Sequence, residues 1–296
     1  MINNIKSFAR KNLPEKLYSI SFILYKKIIK REKVLEKDIR FSNFKRAGFY
    51  NFKLEEISFP IFLNPNNGGV DYEIFADGVY EPYILNLIKN SLGKDSVFID
   101  IGANIGQHSL YASFFCKEVF SFEPIEKIYN QMNISVHFND IFNIRTLNYA
   151  LGSQKEILPI YSSDVNVGAS SLVSVSKKKK IQDIKVFKLD DIHESLCIEN
   201  CDLIKIDVEG FEYNVMLGAK DFIRKFKPKI ILEYSPLLYR EFDANISTDI
   251  FLFLKGLDYN VYDIGSGEKL ELVEDFKRLL SIDQTNLFCV SRTKSV

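Results

Sequence analysis

From residue 96 onward, short apolar runs alternate with amphipathic stretches, and several runs end on an acid. Val97-Phe98-Ile99 predicts a buried strand, Asp100 to Gly106 a glycine-bearing turn, and Gln107 to Phe115 a helix. Val119 to Phe122 predicts a second strand ending at Glu123-Pro124, followed by a helix over 125–138 and a third strand at Ile144 to Leu147. Residues 154–190 read as an inserted hairpin region. Leu203 to Ile206 is a strand ending at Asp207, with a helix from about Phe211 to Arg224 behind it. Lys229 to Leu232 is a strand ending at Glu233, then come a helix near 247–256 and strands near 259–264 and 286–291. Alternation of this kind implies an α/β protein whose mostly parallel sheet is covered on both faces. Ligands of such sheets sit at the carboxyl ends of the strands, where Asp100, Glu123, Asp207 and Glu233 all fall.

Upstream the pattern is less regular. Residues 1–45 read as helical and charged, and 46–75 as short strands and turns punctuated by Pro60, Pro65 and Asn66-Asn67-Gly68-Gly69. Glu81 to Leu92 has helical spacing with Pro82 in the first turn. The expected organisation is a basic helical arm over 1–45, strands and a helix over 46–94, and a catalytic domain over 95–296. Residues 1–31 carry eight basic side chains against Glu15 alone. That arm is either a helix packed on its own domain or a basic amphipathic helix resting on an anionic membrane surface. No apolar run reaches the ~20 residues of a bilayer span. The expected location is cytoplasmic, with a peripheral seat on the inner face of the membrane as the arm's second reading.

Composition narrows the chemistry. Of 296 residues, 39 are Lys or Arg and 39 Asp or Glu, so no overall positive field favours nucleic acid as a partner. Cys116, Cys197, Cys201 and Cys289 are too few for a disulfide scaffold and lack paired zinc-ligand spacing. A reduced protein is expected.

The turn Asp100 to Gly106 is a candidate ligand cradle. A P-loop is excluded because Gln107 and His108 follow Gly106 in place of Lys and Ser/Thr. A dinucleotide fingerprint is poorly met, since positions 104 and 107 are Asn and Gln. S-adenosylmethionine, which has no phosphate, is the third candidate; its carboxylate would meet the turn's amides and its ammonium an acid such as Asp100. A plain strand-to-helix turn with Asp100 as its cap is the alternative. Glu123, 21 residues after Gly102, is placed to accept both hydroxyls of a ribose.

Taken in order, Gly78-Val79-Tyr80-Glu81-Pro82, Val97 to Gly106, Phe122-Glu123-Pro124, Ala150-Leu151-Gly152, Leu189-Asp190-Asp191 and Lys205 to Glu212 resemble the FkbM family of S-adenosylmethionine-dependent methyltransferases. The resemblance spans roughly residues 70–235 and departs at Gln107-His108, where an aromatic pair is expected. It implies a class I methyltransferase, Rossmann-like fold: a mostly parallel seven-stranded sheet whose last strand is antiparallel. It also implies O-methylation of a hydroxyl on a sugar or secondary metabolite. Carried over residue by residue, Asp100, Gly102, Asn104 and Gly106 would line the methionine part of the cofactor, and Glu123 would take the ribose. Asn148 would border the adenine, and Glu81 would approach the ammonium.

Methyl transfer from a sulfonium requires in-line alignment and removal of the acceptor proton. Asp207 or Glu209 is the expected proton acceptor or acceptor ligand, with Glu233 nearby. The same carboxylates could hold a hard cation such as Mg2+, but no metal is expected because Lys205 is placed to pair with them. His108 beside the turn is either a general base or a packed helix-face residue. The leading expectation is an O-methyltransferase of a sugar, polysaccharide or glycolipid precursor, its acceptor a small molecule or glycan. Its rivals are the same chemistry on a polyketide, peptide or lipid hydroxyl, a nucleotide-dependent oxidoreductase, and a non-catalytic cofactor-binding module.

Overall fold

In the computed structural model the residues described are 43–163, 166–171, 179–243, 245–265 and 270–294, so nearly all of the expected basic arm lies outside them. The chain divides into two compact units, Met1–Arg46 and Ala47–Val296. Residues 47–94, expected as a segment ahead of the catalytic domain, belong to the second unit together with the sheet.

That unit opens with a hairpin, β1 (Gly48–Leu54) and β2 (Ile57–Leu63), paired antiparallel. Helix α1 (Gly69–Asp77) follows. It corrects the reading of 46–75 as strands and turns: the glycine pair that looked like a turn starts a helix, and Gly78, at φ 77°, closes it by donating its amide to the Ile74 carbonyl. Helix α2 (Pro82–Ser91) begins at Pro82, whose missing amide suits a first turn.

The central layer is built from β3 (Val97–Ile101), α3 (Gln107–Ala112), β4 (Glu118–Phe122), α4 (Glu126–Phe138) and β5 (Ile144–Leu147). A second layer of strands follows: β6 (Ala150–Leu151), β7 (Glu156–Ser163), β8 (Asn166–Ser171) and β9 (Lys179–Phe187) form a separate four-stranded sheet in the order β6-β9-β7-β8. This is the expected insertion. The chain then runs through α5 (Leu189–Ile192), β10 (Leu203–Ile206), α6 (Glu212–Gly218), α7 (Lys220–Phe226), β11 (Lys229–Tyr234), α8 (Pro236–Tyr239), α9 (Ile246–Gly256), β12 (Tyr259–Asp263), β13 (Glu271–Leu272), a 3-10 turn and β14 (Thr285–Ser291). The helix expected from Phe211 to Arg224 is two helices, because Ala219 at φ −117° breaks the backbone between α6 and α7.

The main sheet has the order β13-β12-β14-β11-β10-β3-β4-β5. Strands β11, β10, β3, β4 and β5 are parallel neighbours, and β14 runs antiparallel to both β11 and β12. The expected seven-stranded class I methyltransferase sheet is therefore present. The correction is one strand: the two-residue β13 adds an eighth at the exposed edge. Every residue of β3 is buried, as a strand covered on both faces must be. One core joins Ile99 and Ile101 of β3 to Val215 and Met216 of α6, Phe222 of α7 and Ile250 and Leu254 of α9. Fully burying each such side chain stabilises the fold by about 1.5–3 kcal/mol. This rigid layer holds the carboxyl ends of β3, β4, β10 and β11 side by side. Among the described residues, no helix is long and apolar enough to cross a membrane.

Candidate active site

A cavity of about 350 Å³ opens over those strand ends. On one side the chain leaves β3 through Gly102, at φ 81°. A Cβ there would lie 1.8 Å from the Asp207 carbonyl oxygen, so the β3 and β10 ends can approach only because residue 102 is glycine. Glu123, one residue past β4, faces this turn. Its Oε2 accepts the Asn104 amide at 3.0 Å and its Oε1 the Ile125 amide at 2.8 Å. Burial is the largest influence on Glu123, and it pushes the carboxyl up to about 7 despite those two amides. The Asn148 side chain donates to the Glu123 and Pro124 carbonyls and so fixes the strand end.

The turn does not offer its amides as expected. Gly102 and Ala103 donate to the Phe122 carbonyl, Asn104 to Glu123, Ile105 to the Asn104 side chain and Gly106 to the Ala103 carbonyl. Its amides are taken up by the end of β4 and by the turn itself, so it presents shape to the cavity, with the Glu123 carboxylate beside it.

On the opposite side, ligand atoms of Asp207, Glu209 and Glu233 lie within 4.8 Å of one another. Glu209 is held in the left-handed region at φ 52° by the loop that Glu212 organises, its buried Oε1 accepting the Val208 and Gly210 amides at 3.1 and 3.0 Å. Lys205 donates to Asp207 Oδ2 at 2.7 Å. Burial alone would lower the lysine's pKa, but Asp207, Asp100 and Glu81 outweigh it and hold the group above the ordinary lysine range. Glu233 accepts from the Gln284 side chain, while its Oε2 has no hydrogen-bond partner among the described residues. Burial first, then the charges of Asp207, Glu209 and Glu212, push Glu233 well above the usual carboxylate range.

A third wall is one of which the sequence reading singled out His108 alone, as a general base or a packed helix-face residue. Tyr80 lines the cavity, with its ring edge-on to His108 at a centroid distance of 6.2 Å. Gln107 is 2% exposed and binds the Tyr80 main chain twice, accepting its amide at 2.7 Å and donating to its carbonyl at 2.8 Å. His108 also lines the cavity, with its Nε2 3.6 Å from Glu81 Oε2. Burial, with Lys205 adding to it, drives His108 well below the usual imidazole range, so the ring is neutral and the contact is not an ion pair. Neither His108 Nε2 nor Glu81 Oε2 has a hydrogen-bond partner among the described residues.

The structure thus gathers Gly102, Asn104, Glu123, Asp207, Glu209 and Glu233 around one cavity. The other expected residues stand behind it. Asp100 is fully buried in β3 and turned to Ser109, which donates to it at 2.6 Å, so it supports the turn without lining it. Gly106 packs against Met132, which a Cβ would meet at 2.6 Å. Asn148 braces Glu123, and Glu81 accepts from Asn286 at 3.2 Å. Chemically, the cavity offers a carboxylate for paired hydroxyls at one end and a cluster of acids and unpartnered acceptors at the other. A ligand with a diol and a positive charge suits that polarity. The Asp207, Glu209 and Glu233 carboxylates are also the one group among the described residues that could hold a metal ion.

Comparison with known proteins finds methyltransferases. The methyltransferase sdnD of Sordaria araneosa is 27% identical over 181 residues, covering 50% of this chain and 67% of that protein. The hexuronic acid methyltransferase AglP of Haloferax volcanii is 26% identical over 144 residues, covering 49% of this chain and 58% of that protein. The chain thus spans about two thirds or less of these relatives. Among solved structures, the methyltransferase FkbM from Methylobacillus flagellatus aligns with 74% of this chain and 53% of that chain, at 15% identity and a TM-score of 0.46. The sequence model described as the methyltransferase FkbM domain matches residues 100–261, from the acid of β3 to the middle of β12. That match covers more than half of the chain, which therefore belongs to the FkbM family of methyltransferases.

Proposed function

We propose that the chain is an S-adenosylmethionine-dependent O-methyltransferase acting on a hydroxyl of a sugar or of a polysaccharide or glycolipid precursor. The observation that carries this reading is the meeting of two strand-end features in one cavity: Glu123 against the Gly102 turn, and Asp207, Glu209 and Glu233 opposite. When bound, the cofactor supplies a methyl group activated by its sulfonium. Glu123, already oriented by two amides, keeps acceptor capacity for the ribose hydroxyls. Asp207 or Glu209 would take the proton of the acceptor hydroxyl, freeing that oxygen to receive the methyl group. Lys205 keeps Asp207 oriented from beneath. The buried walls limit water, which favours a step in which charge is dispersed. The likeness to a hexuronic acid methyltransferase supports a carbohydrate acceptor. Against an oxidoreductase stands Gln107, whose side chain is committed to Tyr80 at a position where a dinucleotide turn needs glycine.

Titration with S-adenosylmethionine, S-adenosylhomocysteine and NAD tests the cofactor, and transfer of labelled methyl to a panel of glycosides tests the acceptor. Preference for NAD overturns the reading. Asp207→Asn is expected to retain cofactor binding and lose turnover, and undiminished turnover removes Asp207 as the proton acceptor. The eight basic side chains of residues 1–31 support a peripheral seat on anionic lipid. Co-sedimentation with anionic vesicles, with and without those residues, tests that seat.

A further inference from the structure

The departure at Gln107 from the expected aromatic pair acquires a physical meaning in the fold. One buried side chain clasps both main-chain polar groups of Tyr80, a residue 27 positions earlier that starts no regular element itself. The next residue, Glu81, sits at φ 47° and opens α2. Fixing residue 80 therefore fixes both the ring and the helix entry. The ring lies in a particular electrical setting. It lines the cavity together with Asp207, Glu209 and Glu233, and it borders the neutral His108. The phenol itself stays neutral: burial, then the charges of Glu81, Asp207, Glu233 and Glu209, hold its pKa far above the ordinary tyrosine value. An uncharged aromatic surface among carboxylates is a place that a cation seeks for two reasons, Coulombic attraction and the ring quadrupole.

We propose that Gln107 is a positioning residue acting through Tyr80, and that the Tyr80 ring is the surface against which the sulfonium of the methyl donor rests. This rests on the reading of S-adenosylmethionine as the donor. The donor is a sulfonium cation and the product a neutral thioether, so the ring favours the donor over S-adenosylhomocysteine. The hydroxyl of Tyr80 is not needed for that preference, whereas the ring is. Gln107 contributes only by holding the ring in place.

Calorimetric titration of the full chain with S-adenosylmethionine and S-adenosylhomocysteine tests this without any acceptor. Tyr80→Phe is expected to keep the wild-type ratio of the two affinities within about twofold. Tyr80→Leu is expected to lower the donor's relative affinity by about fivefold, the scale of one cation–π contact. Gln107→Met, of similar volume but unable to hold Tyr80, is expected to lower it comparably, and the double variant no further, because both changes remove the same contact. An unchanged ratio in Tyr80→Leu overturns the role of the ring. Single effects that multiply in the double variant overturn the action of Gln107 through Tyr80. If circular dichroism shows Gln107→Met unfolded, Gln107→Asn, whose amide is too short to reach both Tyr80 groups and adds no charge, replaces it under the same criteria. A wild-type protein that binds neither compound refutes the donor reading instead, which keeps the two failures apart.

Discussion

The ammonium of Lys205 and the carboxylate of Asp207 meet at 2.7 Å, from side chains two residues apart at the end of β10. Lys205 is almost wholly buried, while Asp207 reaches the cavity. The lysine therefore serves as the counter-charge of the site's floor, facing Asp100 and Glu81 as well. Removing it with Lys205→Met leaves those acids uncompensated. A loss of at least about 3 kcal/mol of stability is expected at pH 8, the scale for breaking a buried pair. At pH 5 the loss is expected to be smaller, because carboxylates stripped of their cation have raised pKa values and cost less once protonated. Urea midpoints at the two pH values check this. A variant as stable as wild type at pH 8 would show that the pair contributes nothing.

Glu123 gives the cofactor site a pH dependence. Burial raises its carboxyl to about 7, so near pH 6 the group is mostly protonated and near pH 8 mostly ionised. Only the ionised form accepts two hydroxyl protons while keeping its two amides. Affinity for S-adenosylhomocysteine is therefore expected to rise about tenfold between pH 6 and pH 8, the span set by one titrating group. Glu123→Gln should bind more weakly and lose that part of the dependence. If the slope survives the substitution, another group carries it.

Two helical glycines have opposite expected responses to alanine. Gly218 in α6 lies against Gly152, just past β6, and a Cβ there would fall 1.8 Å from the Gly152 carbonyl oxygen. The usual helix-propensity gain of about 1 kcal/mol is therefore overridden, and Gly218→Ala should destabilise by more than about 2 kcal/mol. Gly256 ends α9 with nothing within 4 Å of a built Cβ. Gly256→Ala should stabilise, by up to about 1 kcal/mol. Thermal midpoints decide both, and a common sign would mean that the packing argument fails.

Much of this architecture could be read along the chain because the signals are local. Val97 to Gly106 is a strand and its turn in ten consecutive residues, and Glu123, Asp207 and Glu233 each follow an apolar run that marks its own end. What was hidden depends on long-range geometry. Asp100 has the sequence context of a pocket residue, yet it is buried inside the sheet, where its Oδ2 accepts from Ser109 and its Oδ1 has no hydrogen-bond partner among the described residues. The bond between Gln107 and Tyr80 crosses 27 residues and follows no periodicity. Helix α1 was obscured because Gly68-Gly69, usually a turn signal, sits at a helix start. The nearest hint of the third wall was the departure at Gln107, which marked the position without naming its partner.

Asp71 lies outside the reaction yet braces the cavity. Its Oδ1 accepts the Asn64 amide at 2.6 Å and the Gln131 side chain at 2.7 Å, and Asn67 in turn donates to Gln131. This network ties the segment before α1, and with it Gly69 and Val70 on the cavity wall, to α4. Asp71 is 2% exposed, and its burial raises the carboxyl from 3.8 to about 6 against the pull of those donors. The folded pKa exceeds the unfolded one, so the stability tied to this group is full below about pH 4 and is lost as pH rises through 6. Asp71→Asn keeps the Oδ1 acceptor and removes the ionisation. Between pH 4 and pH 7.5, wild type should therefore lose about 2.4 kcal/mol more stability than the variant, since that interval spans most of the shift at 1.36 kcal/mol for each unit. Chemical denaturation at the two pH values measures the difference. Parallel curves would mean that Asp71 stays ionised in the fold and that its donors outweigh its burial.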